Sequence, residues 1–230
     1  MREVFLNSAF FGVFLCLASH QLGIFIKRKF KFSILNPLLL AIIFCILFLY
    51  LFDIPYDKFN ASAGHISFFL TPVTICLAVP LYEQLELLKH NYVAIMLGLI
   101  SGVFFGLLSI FALSFVFGLD HQMYVTMLPK SVTTPIAIGI SHKLNGIVTI
   151  TVALVIITGI FGSIIADSLF KIFKIDNKVA RGVSLGCASH VMGTAKAIEY
   201  GDIEGAMASL SIAVSGLLTV IGASIFAKFF

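Results

Sequence analysis

"LPKSVTTPIAIGIS", residues 128–141, breaks a strongly apolar chain with a lysine, two serines, two threonines and two prolines. Between Lys130 and Lys143 lies a charge-free window, 131–142, of only 12 residues. Crossing a bilayer core takes about 20 residues of helix. Pro135 has no amide to donate, and lipid supplies no partner for a freed backbone group. A broken segment at membrane depth must therefore be packed in protein or line a cavity. The fold turns on whether this window crosses the bilayer or turns back within it.

The surrounding composition sets the solvent. Of 230 residues, 60% are hydrophobic and 11% charged, and the mean hydropathy is +1.08. Soluble domains carry about 25% charged residues, so the chain reads as an all-α integral membrane protein forming a single membrane domain over 1–230. Six charge-free windows are long enough to span: 4–26, 32–52, 59–82, 91–119, 144–166 and 205–227. The first is too long for a signal-peptide core and lacks a small-residue cleavage site, so it reads as a spanning helix. Two windows, 131–142 and 182–195, are short and rich in Gly, Ser and Thr. The formal charge of +4 is not gathered in a tail, so nothing points to nucleic acid.

Loop charges favour six transmembrane helices plus two re-entrant or broken-helix segments. Lys and Arg collect on the cytoplasmic side. If 131–142 turns back, the clusters Lys27, Arg28, Lys29, Lys31 and Lys171, Lys174, Lys178, Arg181 share one face with Lys89. The opposite face then holds Arg2, Lys58, Lys130, Lys143 and Lys228, and the amino terminus lies outside. An extra amphipathic crossing is the alternative. In the favoured arrangement 131–142 enters from outside and 182–195 from inside, each followed by a spanning helix. Units 128–170 and 182–230 thus form an inverted repeat in organisation, with short Gly/Pro-interrupted segments at corresponding places. Thr71-Pro72 and Pro80 suggest a third broken helix, or only a kink.

The candidate substrate site follows from these tips. Lys130 and Lys196 are the cations nearest the short windows; each snorkels to an interface, pairs with an acid, or draws an anion. Glu199, Asp202 and Glu204 follow Lys196 closely. Helix amino termini at mid-depth carry partial positive charge and free N–H groups. Ser131, Thr133, Thr134, Ser189 and Thr194 would add hydroxyl donors. If the second segment is helical after Ser189, His190 and Thr194 stack at i, i+4, as do Ser189 and Gly193; helix packing or a core histidine is the plainer reading. Pro135 and Gly193 would shape the backbone.

No H-E-x-x-H, P-loop or G-x-S-x-G occurs, and neighbouring Ser189 and His190 do not face each other on a helix. Neither catalysis nor a cofactor is expected. The six histidines form no ligand spacing, so no metal is expected. Cys16, Cys45, Cys76 and Cys187 are scattered with no C-x-x-C pair and read as small buried hydrophobes.

"TPVTICLAVPLYEQ" (71–84), "LPKSVTTPIAIGIS" (128–141) and "ARGVSLGCASHVMGTAKAIEYGDIEGAMASLSIAVSGLLT" (180–219) resemble the LrgB/CidB family of bacterial membrane proteins, in order and over nearly the whole chain. One departure is "SHVMGTAKA", where the family pattern has a small residue after the histidine and often Arg in place of Lys196. The resemblance implies a multi-pass protein of the bacterial cytoplasmic (inner) membrane, acting with a small LrgA/CidA-like membrane protein. It also implies one of two functions. Members resemble transporters of small monocarboxylates such as pyruvate, glycolate or lactate; alternatively they resemble holin/antiholin-like regulators of murein hydrolase export and cell lysis. The residue reading favours transport of a small carboxylate anion. Lys130 and Lys196 would attract it, the five hydroxyls would bind it, and His190 would orient or protonate it. Replacing Lys196 with Ala is expected to reduce transport more than membrane abundance. The apolar faces are also compatible with a homo-oligomer.

Overall fold

The structure is a computed structural model that describes residues 8–30, 35–69, 72, 75–76, 82–83 and 85–230. Among these the chain is all helical, with no strand. The Thr71-Pro72 and Pro80 break lies outside the described residues, Pro72 aside. Among the described residues, three helices are long and apolar enough to cross a membrane: Lys89–Phe117, Val148–Ile172 and Asp202–Phe226. The chain divides into two compact units, Met1–Cys76 and Leu77–Phe230.

In the first unit, α1 (Phe11–Phe30), α2 (Pro37–Leu51) and α3 (Tyr56–Ser67) pack together. Asn36 caps α2, its side chain accepting from the amides of Leu38 and Leu39, and Pro37 stands where a missing N–H costs nothing. Phe11, Leu15 and Ile54 form the core. The Gly12 amide donates to Ser62 Oγ at 2.8 Å, drawing α1 onto α3.

The second unit holds the interrupted segments. Helix α4 (Leu85–Val116) leads to α5 (His121–Met127), α6 (Thr134–Lys143), α7 (Val148–Ile172), α8 (Lys178–Tyr200) and α9 (Asp202–Phe226). Asp120 caps α5 through the Met123 amide at 2.7 Å. Helices α5 and α6 form an antiparallel pair that turns at 128–133. Gln122 Nε2 donates to the Asn145 carbonyl at 3.3 Å, and deeper in, Thr126 and Ser141 both meet Thr151 of α7. Pro129 and Pro135 stop α5 continuing into α6, since neither can donate to a helical ladder.

Helix α8 also reverses. Its backbone breaks at His190, with φ 42° and ψ −128°, a conformation costly for any residue but glycine. A Cβ on Gly193 would collide with the carbonyl of Leu185, eight residues earlier. In a continuous helix those residues stand about 12 Å apart along the axis, so the second limb folds back on the first. Helix α9 then runs parallel to the first limb. Gly182 abuts Glu204 and Met207, while Gly186 abuts Ala208 and Ser211, so the contacts advance together along both helices.

These close crossings have a physical cause. Within lipid, helices gain little by hiding apolar surface from one another, and association depends on close packing permitted by small residues. Leu107, Ile110, Leu128, Val132 and Val155 pack about the first turn. Leu185, Ala197, Ala208, Ala166 and Phe170 pack about the base of the second.

Candidate functional site

Both turns border one cavity of about 740 Å³. The first turn contributes Leu128, Lys130 and Ser131; the second contributes Cys187, Ala188 and Ser189. Gly98, Gly102 and Gly106 of α4 line one wall, Phe161, Gly162 and Ile165 of α7 another, and Thr219 of α9 completes the region. Lys130 is the one charged side chain among the lining residues. Its Nζ donates to Ser131 Oγ at 3.0 Å, and among the described residues no carboxylate pairs with it. A cation held from water without an acidic partner favours an anion beside it.

The remaining candidates fall into three places. His190 sits behind the second turn and is 4% exposed. Its Nε2–H donates to the Val155 carbonyl at 3.0 Å; because a carbonyl only accepts, this bond fixes the tautomer. Thr194 Oγ1 donates to the His190 carbonyl at 3.0 Å, and Gly193 supplies the close crossing. These three residues hold the turn that presents Ser189. The Thr194 bond is an i, i−4 back-bond of the kind a helical Thr makes within its own limb.

Thr133 is the N-cap residue of α6 and Thr134 its first helical residue, but Thr133 makes no side-chain cap bond. Pro135 borders a separate hollow between α6 and α9. Lys196 lies on the return limb. Its Nζ is 3.3 Å from Asp167 Oδ2 and 3.2 Å from Glu199 Oε2, and 4.9 Å from the centre of the Tyr200 ring. The Tyr200 hydroxyl donates to Asp167 Oδ1. Lys130, Ser131 and Ser189 are therefore brought together at the cavity; Lys196 is tied to α7 elsewhere.

Several residues at these positions carried weak signals in the sequence. Cys187 lines the cavity and is only partly buried, where the sequence suggests a small buried hydrophobe. Asp167 is marked in the sequence only by following the apolar window 144–166. Thr126 and Thr151 look like ordinary polar interruptions, yet they join the base of α5–α6 to α7. Thr126 Oγ1 accepts from the Ile147 amide at 2.8 Å, and Thr151 Oγ1 donates to the Thr126 carbonyl at 2.9 Å.

Long apolar helices, two reversing segments and a cavity that both border define a helical membrane protein. The chain belongs to the LrgB-like family, whose profile matches residues 16–229. It is 33% identical over 221 residues to the antiholin-like protein LrgB of Bacillus cereus (strain B4264), covering 96% of each chain. The antiholin-like protein LrgB of Bacillus anthracis (strain CDC 684 / NRRL 3495) matches at the same identity and coverage. No solved structure matches.

Proposed function

We propose that the protein carries small monocarboxylate anions across the bacterial inner membrane by alternating access, together with a small LrgA-like membrane protein. The observation that carries this reading is the meeting of two helical turns at one cavity, with Lys130 and the hydroxyls of Ser131 and Ser189 on its wall. Such turns, entering from opposite faces at mid-membrane, are how several carrier folds hold an ion between inverted repeats. The order of elements supports that assignment: α5–α6 followed by spanning α7, then the two limbs of α8 followed by spanning α9. Units 128–170 and 182–230 would be the repeats, with 131–142 and 182–195 the re-entrant segments of a six-span protein.

A second reading is an antiholin-like regulator of murein hydrolase export and lysis, and the names of the relatives favour it. Labelled pyruvate uptake into proteoliposomes, with and without the LrgA-like partner, separates the two when entrapped dye is followed in the same vesicles. Saturable uptake competed by glycolate or lactate, with the dye retained, is the expected result. Dye loss without saturable uptake would establish the second reading.

A further inference from the structure

We infer that the cavity is built for an amphipathic monocarboxylate, whose carboxylate meets Lys130 while an aliphatic or aryl tail lies along α4; this rests on the carrier reading. Size is the first argument. Cavities of about 300–1,000 Å³ hold drug-sized ligands, and this one measures about 740 Å³, far more than a three-carbon acid fills. The distribution of chemistry is the second. Among the described lining residues charge is confined to Lys130, beside Ser131, with Ser189 on the wall of the same cavity. Beyond that end most of the wall is apolar, with Val103, Leu107, Phe161, Ile165 and Val183, interrupted by the hydroxyls of Thr158, Ser184 and Thr219. Polar side chains return where the cavity reaches the starts of α4 and α8, at Asn91 and Asn177.

The glycines of α4 supply the third argument. Gly98, Gly102 and Gly106 recur every fourth residue, leaving one helical face of bare backbone along the cavity. Gly98 and Gly102 are close to Val183 and Cys187 of α8, but a Cβ on Gly106 would meet no described residue within 4 Å. The trough beside Gly106 is therefore open space rather than a packing contact. A compact hydroxy acid at Lys130 would leave these walls against water. A tail would displace that water, strengthening binding about fourfold for each buried methylene.

The test is inhibition of saturable labelled-pyruvate uptake by straight-chain 2-oxo acids, from 2-oxobutyrate to 2-oxooctanoate. Full-length protein is used in proteoliposomes, and protein-free vesicles correct for partitioning. The inhibition constant should fall about fourfold per methylene over the first members, and the corresponding amides should not inhibit. Gly106→Leu should raise the constant for the longest acids at least tenfold more than it raises the KM for pyruvate, with Gly106→Ala intermediate. Saturable pyruvate uptake with flat or rising constants along the series overturns the inference and leaves the carrier reading intact. An effect of Gly106→Leu that is equal for short and long acids also overturns it. Absence of saturable uptake for every acid overturns the carrier reading and the inference with it.

Discussion

Lys196 on the return limb of α8 is bound to Asp167 of α7, with Nζ 3.3 Å from Oδ2. The lysine side chain is 18% exposed and the aspartate 35%, so the pair is partly screened and its contribution is modest. Lys196→Met and Asp167→Asn should each lower thermal stability and membrane abundance along with transport. The double variant should lose less than the sum, with a coupling of about 0.5–1 kcal/mol, read from melting of the purified protein in detergent. Normal abundance with abolished uptake in Lys196→Met would instead restore the lysine to the substrate, as its position in the sequence first suggests.

Lys130 has the opposite character, because it donates to the neutral hydroxyl of Ser131 and borders the cavity. A hydrogen bond to a charged group contributes about 1.5–3 kcal/mol, so Lys130→Gln should reduce the apparent affinity for pyruvate roughly 10- to 100-fold. Membrane abundance should hold, since no ion pair is broken among the described residues. Lys130→Arg keeps the charge and should retain part of the affinity. An unchanged KM in Lys130→Gln would remove the lysine from the site.

The sequence makes the two turns legible because their signals are local. A window too short to span, carrying prolines, glycines and hydroxyls, cannot lie against lipid, and the chain breaks beside or within each, at 128–133 and at His190. The partners of the turns are less legible because they come from distant helices. Thr126 and Thr151 meet across 25 residues of chain, and His190 and Val155 across 35; neither pairing leaves a periodic pattern. Lys130 and Lys196 look equivalent as cations beside short windows. Only the direction of the return limb separates them, carrying Lys196 back toward Asp167. The glycine face of α4 reads equally as a surface for helix packing; the opening beside Gly106 requires the neighbours in place.

His190 adopts a backbone conformation suited to glycine while its ring bonds to Val155. Replacement by Ala loses the bond and keeps the strain; replacement by Gly loses the bond but removes the strain. His190→Ala should therefore destabilise the protein by about 1 kcal/mol more than His190→Gly, measured by thermal melting in detergent. A His190→Gly variant less stable than His190→Ala would show that the imidazole contact, rather than the strained break, governs this turn.

Gly193 and Gly106 form a contrasting pair. A methyl on Gly193 collides with the backbone of Leu185 and lies 2.8 Å from Ser189 Cβ, whereas a methyl on Gly106 meets no described residue. Backbone cannot yield as a flexible side chain can, so Gly193→Ala must separate the two limbs of α8. Overpacking of this kind costs about 1–3 kcal/mol or more. Gly106→Ala removes a helix-interior glycine without a clash and should be neutral or stabilising by up to about 1 kcal/mol. Size-exclusion profiles and melting temperatures of the two variants test the hairpin directly. A monodisperse Gly193→Ala protein with wild-type melting would mean that the limbs of α8 do not fold back at His190. The meeting of two turns, on which the proposed carriage rests, would then fail with it.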